Sequence, residues 1–268
     1  MPVSLLVVGG GRMGRALVAG LVGRAGWAAG RIGVVDPDPS CRAALAAAHP
    51  GLVVADAPSP ELARAGGDAV LVVKPEVAES ACRSLGAAGI VRVLSVVAGI
   101  PAARLEACLP PEAVVVRAMP NTPALVGAGV TAISGGARAR AADLEWAERL
   151  LEGVGTVVRL PERHLDAVTG LSGSGPAYFF LVVEALIEAG VLAGLPRDVS
   201  RTLVVETLRG SAALLAETGE TPEALRAAVT SPGGTTAAGL RALEARAVRA
   251  AFLEAVLSAA ERSRNLAR

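Results

Sequence analysis

Three glycines with the spacing G-x-G-x-x-G, Gly9, Gly11 and Gly14, close the apolar run SLLVVGG (4–10) and open the helical pattern RMGRALVAGLVGRAG. Glycines at these places permit a tight strand-to-helix turn, close approach of backbone to a pyrophosphate, and close helix–strand packing. The helix N-terminus then presents unpaired N–H groups and the positive end of its dipole to the phosphates. A second apolar run, RIGVV, ends at Asp36, where a carboxylate accepts from adenosine ribose hydroxyls. Motif, context and acid together point to a dinucleotide. A carboxylate at Asp36 repels a 2′-phosphate, which favours NADH; Arg42, a few residues on, is placed to receive that phosphate, so NADPH stays open.

Further chemistry is concentrated at four short blocks. VVKP (72–75), VVAG (96–99) and AMPNTP (118–123) each end an apolar run, and in an open parallel sheet ligands sit at the carboxyl ends of strands. Of 26 basic residues only one, Lys74, is a lysine; in so Arg-rich a chain its survival points to a position where Arg does not serve, chance survival being the alternative. The fourth block, SPGGTT (231–236), suits a carboxylate: Gly233 and Gly234 let backbone N–H groups converge, while Ser231, Thr235 and Thr236 add hydroxyl donors. A plain Gly-Gly turn with a Thr cap is the alternative. No His or Cys lies in these blocks, so neither a thiol nucleophile nor an imidazole acid is expected. His49 and His164, the only histidines, are too far apart to suggest a metal site.

The elements that must hold these blocks follow from the apolar pattern. Up to Leu160, continuous Val/Leu runs alternate with helical segments, which describes strands covered on both faces and a doubly wound, mostly parallel sheet. Strands are expected at 4–10, 31–36, 52–56, 68–75, 91–99, 113–120, 130–135 and 156–160. Helices fill the gaps, including ELARAGG (61–67) and 141–152. After Pro161 there is no strand signal, and prolines at 176, 196 and 222 lie near helix starts. A dinucleotide-binding domain over 1–162 and an all-α domain over 163–268 result. The apolar stretch 177–195 is long enough to test as a membrane span, but Glu184 and Glu188 in its middle argue for a helix buried on most faces, against a second subunit if not within the chain.

Net charge is +1, which excludes a strong field for nucleic acid or an anionic membrane. Three cysteines without CxxC spacing, and an N-terminus that runs straight into a strand, fit a reduced, cytoplasmic protein.

Taken in order, GGGRMGRAL (9–17), VVKP, SVVAGI (95–100), RAMPNTPALVGAGVTAI (117–133), DAVTGLSGSGPAYFF (166–180), AGLPRDVS (193–200) and SPGGTTAAGLRALE (231–244) resemble the pyrroline-5-carboxylate reductase family over nearly the whole chain. The resemblance implies a Rossmann-type domain followed by a helical dimerisation domain, a homodimer, and a possible decamer of five dimers. It implies hydride transfer from NADH or NADPH to the C=N bond of Δ1-pyrroline-5-carboxylate, giving L-proline. It also implies roles. Gly9, Gly10, Gly11, Arg12, Met13, Gly14, Asp36, Ser59, Val73, Lys74, Pro75, Ala98, Gly99 and Asn121 hold the cofactor. Ser231, Gly233, Gly234, Thr235 and Thr236 hold the substrate, with the Thr236 hydroxyl orienting or relaying the proton of the ring nitrogen. Lys74 contacts cofactor ribose or shapes the site, a direct acid role being the alternative. Glu162 balances charge on the ring nitrogen or is an exposed junction carboxylate.

Two rivals are distinct. A β-hydroxyacid dehydrogenase needs a lysine in its helical domain, and this chain has none after Lys74. A non-catalytic dinucleotide-binding scaffold would not need MPNTP and SPGGTT intact. A related cyclic imine reductase differs only in substrate.

Overall fold

The computed structural model describes residues 3–266, with backbone alone for residues 64–66. The chain forms two compact units: one runs up to Ser174 and takes up the chain again from Leu257, and the other is Gly175–Val256.

In the first unit, strands and helices alternate: β1 (Val3–Val8), α1 (Arg12–Gly23), β2 (Ile32–Val35), α2 (Pro39–Ala48), β3 (Val53–Ala55), β4 (Ala63–Leu71), α3 (Ala78–Ala87), β5 (Arg92–Ser95), α4 (Ala102–Glu106), β6 (Val114–Met119), β7 (Gly129–Gly135), α5 (Ala141–Leu151) and β8 (Gly155–Arg159). One sheet carries all eight strands in the order β3-β2-β1-β4-β5-β6-β7-β8. Every neighbouring pair is parallel except β6–β7. The order turns back on itself between β1 and β4, the switch point at which such sheets bind ligands.

Both faces of the sheet are covered, which is why the strands read as unbroken apolar runs. One core joins Leu6, Val93 and Val115 to Cys82 and Leu85 of α3 and Leu105 of α4; the other joins Val7, Leu94 and Val116 to Leu17 and Leu21 of α1 and Trp146 and Leu150 of α5.

One expected helix is absent. ELARAGG does not coil; from Ala63 its backbone is the first part of β4, and the Val3 amide donates to the Leu62 carbonyl at 3.0 Å. Two adjacent glycines cost a helix about 1 kcal/mol each, and pairing beside β1 satisfies the same backbone groups. The strands expected at 68–75 and 91–99 end before the apolar runs do, at Leu71 and Ser95. The freed residues become the loops of the site.

The chain leaves β8 through Glu162–His164, a short helix α6 (Leu165–Val168) and a π-turn at Thr169–Gly173. These residues stay with the first unit, beyond the 162/163 boundary read from the sequence. Leu165 is buried, and Ser263 Oγ donates to Asp166 Oδ1 at 2.7 Å. A Cβ on Gly173 would stand 2.7 Å from Met119 Cε, so the π-turn lies close against the end of β6.

The second unit is helical: α7 (Gly175–Leu192), α8 (Arg197–Thr218), α9 (Pro222–Ala228), α10 (Thr235–Ala245) and the first part of α11 (Val248–Leu266). α7 and α8 form a hairpin in which Ser200 Oγ donates to the Ile187 carbonyl at 2.9 Å. The continuous helical stretch Glu162–Leu192, which ends with α7, is long and apolar enough to cross a membrane by length and composition. Contrary to a helix buried within its own chain, Phe180 is 60% and Leu181 66% exposed, which leaves burial against another subunit.

Candidate functional site

The glycine turn lies at the switch point. The Gly9 amide donates to Val35 of β2 at 2.8 Å, and the Val72 amide donates to Val8 at 2.8 Å, so the chain leaves β1 between two neighbours. Gly9 has φ +112°, and a Cβ there would stand 2.2 Å from the Val72 carbonyl oxygen. Gly11, by contrast, is exposed and has nothing within 4 Å of an added Cβ. It caps α1 with no side-chain hydrogen bond, so the first-turn amides around Arg12, Met13 and Gly14 are left for an outside acceptor. An open cradle at an uncapped helix start fits a pyrophosphate.

Asp36 lies against the glycine turn. Its Oδ2 accepts from the Gly10 amide at 2.7 Å and its Oδ1 from the Asp38 amide at 2.9 Å. Arg42 is turned onto backbone, donating to the carbonyls of Asp36 (2.6 Å) and Pro37 (2.9 Å). Asp38 caps α2 through the Ser40 amide, and those hydrogen bonds lower its carboxyl pKa below the usual value. The acid is therefore fixed to the glycine turn by the backbone.

β1, β4, β5 and β6 are parallel, so the blocks that follow them share one edge of the sheet. After β4 come Val73, the exposed Lys74 and Pro75, which starts a turn. After β5 come half-buried Ala98 and buried Gly99. After β6 comes Asn121, whose Oδ1 accepts from the Val130 amide at 2.9 Å and pins the start of β7. Ser59 belongs to the turn before β4, its hydroxyl accepting from the Leu62 amide at 3.3 Å.

Glu162 is neither free nor fully exposed. Its Oε1 accepts from Arg117 Nη1 at 2.9 Å and from the Ala102 amide at 2.7 Å. Arg117 was not singled out by the motifs. The available signal was an arginine inside VVVRAM, where a charge on a buried strand demands a partner. Removing Glu162 would leave the nearly buried guanidinium without its counter-charge.

In the helical unit the SPGGTT loop leads into α10. Gly233 has φ +70°, and the Gly234 amide turns back to the Ser231 carbonyl at 3.1 Å. Gly234 caps α10 without a side-chain hydrogen bond, so no Thr hydroxyl is consumed as a cap. Ser231, Gly233, Thr235 and Thr236 are all exposed. The loop offers amides and hydroxyls, the donor set for a carboxylate.

The family model for pyrroline-5-carboxylate reductase dimerisation matches residues 162–266, and the model for NADP oxidoreductase, coenzyme F420-dependent, matches 4–99. The pyrroline-5-carboxylate reductase of Synechocystis is 42% identical over 267 residues, covering 99% of each chain. The chain belongs to the pyrroline-5-carboxylate reductase family. A reductase structure from Coxiella burnetii superimposes with a TM-score of 0.90 at 31% identity, covering 100% of both chains. One from Plasmodium falciparum, with NADP bound, gives 0.87 at 29% identity over 99% and 98%. Membership explains why the apolar helices of the second unit stand open in a single chain: this is a homo-oligomer's dimerisation domain.

Proposed function

We propose that this chain reduces the C=N bond of Δ1-pyrroline-5-carboxylate to L-proline with NADH or NADPH, in the cytoplasm, as a homodimer paired through its C-terminal helices and assembled as five such dimers. The observation that carries the reading is an uncapped, glycine-built anion loop of the family's SPGGTT type in a chain 42% identical to a named reductase along its length.

The nicotinamide supplies the hydride when bound. The chain's own residues divide the remaining work. The first turn of α1 takes the pyrophosphate, with Gly9, Gly10, Gly11, Arg12, Met13 and Gly14 setting the approach. Asp36 takes the ribose hydroxyls, and Ser59, Val73, Lys74, Pro75, Ala98, Gly99 and Asn121 complete the cofactor side. Ser231, Gly233, Gly234 and Thr235 bind the substrate carboxylate. Thr236 holds the ring nitrogen's proton, because a protonated imine accepts hydride far better than a neutral one.

Oxidation of NADH or NADPH by the purified chain with pyrroline-5-carboxylate tests the activity, with a hydroxyacid as control; turnover of the hydroxyacid alone would refute it. Thr236→Ala should lower kcat/KM about tenfold or more, one lost transition-state hydrogen bond. A carboxylate at Asp36, held by two amides, would repel a 2′-phosphate, which supports NADH as the preferred donor. Asp36→Ser should shift the NADPH/NADH ratio of kcat/KM upward by about tenfold, one removed charge repulsion; a wild type that already prefers NADPH sinks this part. Sedimentation decides between a dimer and a decamer.

A further inference from the structure

We infer that Arg117 and Glu162 form a positioning pair for hydride transfer, holding the 96–102 loop and the end of β6 in register with the nicotinamide side of the sheet. The inference rests on the proposed activity, and assigns Glu162 a role through Arg117 and the Ala102 amide rather than on the substrate.

One oxygen joins three segments. Arg117 Nη1 and the Ala102 amide both donate to Glu162 Oε1, at 2.9 and 2.7 Å. Ala102 is the first residue of α4 and directly follows the VVAGIP loop. That loop is tied at its start by Val96, whose amide donates to Leu71 of β4 at 3.0 Å. Its other end is tied by Glu162. Between the ties lies Gly99 at φ +77°, buried. Arg117 pairs with Ser95 of β5 and Ser134 of β7, so a polar row crosses three strands. Its side chain is 10% exposed, against 34% for Glu162. In so little water the guanidinium must keep its carboxylate, and a carboxylate oxygen shared by two donors has one place to be. Without it the loop loses its second tie, and misplacement of about 1 Å at a reacting centre costs roughly 100-fold in rate.

The test uses the full-length protein as wild type, Glu162→Gln, Arg117→Met, the double variant and Arg117→Lys, each checked by thermal melting. Steady-state kinetics are run alongside dinucleotide affinity, read from fluorescence. Each single variant should lower kcat about tenfold or more, the loss of a near-attack geometry, with the KM for pyrroline-5-carboxylate moving less than about threefold. The double variant should be no more than about threefold worse than the poorer single, since both break one unit. Arg117→Lys should recover part of the loss. A raised substrate KM at unchanged kcat in Glu162→Gln, independent multiplication of the two losses, or unchanged kinetics in that variant would each overturn the pair. Should the Arg117 variants fail to fold, Glu162→Gln decides by its split between kcat and KM. If the wild type shows no turnover, the activity itself is refuted. The pair is then judged on dinucleotide affinity: weakening of about threefold or more in Glu162→Gln supports it, and unchanged affinity overturns it.

Discussion

The two units of this chain spend their apolar residues in opposite ways. The α/β unit buries them on both faces of one sheet, with Leu5, Leu17, Leu94 and Leu105 all at 1–2% exposure or less. In the helical unit, Gly175–Val256, the only buried residues are Gly175 and Ser200. Ordering a backbone costs on the order of 1 kcal/mol per residue, whereas a fully buried Leu or Phe returns about 1.5–3 kcal/mol. The first unit carries its own compensation. The second has the composition of a core without the burial in a single chain, and it lies within the match to the family's dimerisation model.

The largest expected effect comes from breaking that contrast. Leu181→Asp on α7, at a side chain 66% exposed in the single chain, should leave the α/β unit intact and weaken the dimer. A central apolar contact of this kind is worth about 2–4 kcal/mol, roughly 30- to 1000-fold in dissociation constant. Sedimentation should show monomer, and circular dichroism a loss of helix with the sheet signal retained. A fully dimeric variant would mean that α7 lies outside the interface.

The glycine turn sharpens the comparison from the other side, because there the fold of the first unit is at stake. Gly9→Ala places a Cβ 2.2 Å from the Val72 oxygen at φ +112° and should cost about 3 kcal/mol, with dinucleotide binding lost along with the β1–β4 edge. Gly11→Ala meets nothing within 4 Å. Its melting temperature should stay close to wild type, while affinity for the dinucleotide falls about tenfold as the methyl enters the cradle. Equal loss of stability in the two variants would refute the division between a packing glycine and a ligand glycine.

This division also marks how far the sequence could be read. Periodicity placed six of the eight strands close to their observed ranges, because strands covered on both faces need unbroken apolar runs, and it carried 91–99 past the end of β5. It missed the start of β4 at Ala63, where pairing with β1 overrode an Ala/Arg composition that favours helix. Gly9 and Gly233 were legible as turns because each has positive φ, and Asp36 as a strand-end acid because it accepts from the Gly10 amide. Arg117 was not, since its role depends on a carboxylate that the fold brings from 45 residues away. The openness of α7 was legible only in part. Apolarity shows that a helix must be covered, and cannot say by which chain.

The thiols give the smallest effect and a finer measure of the same contrast in burial. Cys82 sits at 0% exposure under α3, where burial first, and then the neighbouring Cys108, push its thiol up to about 12 from an ordinary 9.0. Thiolate is the reactive form, so a thiol reagent near pH 8 should leave Cys82 untouched in the folded protein. Cys41 and Cys108, both half-buried, should react first. Cys41 Sγ lies 3.5 Å from the Gly10 carbonyl oxygen and 3.4 Å from Arg15 Nη2, at the rim of the glycine turn. Bound dinucleotide should therefore slow the labelling of Cys41 and leave Cys108 unaffected. The pH dependence follows in sign: the protonated Cys82 thiol favours the folded state fully below about pH 9, and that contribution is lost as pH rises toward 12, because the unfolded chain ionises first. Fast native labelling of Cys82 would mean that the α3 side of the sheet opens far more readily than its packing implies, and the two units would then differ less than their burial indicates.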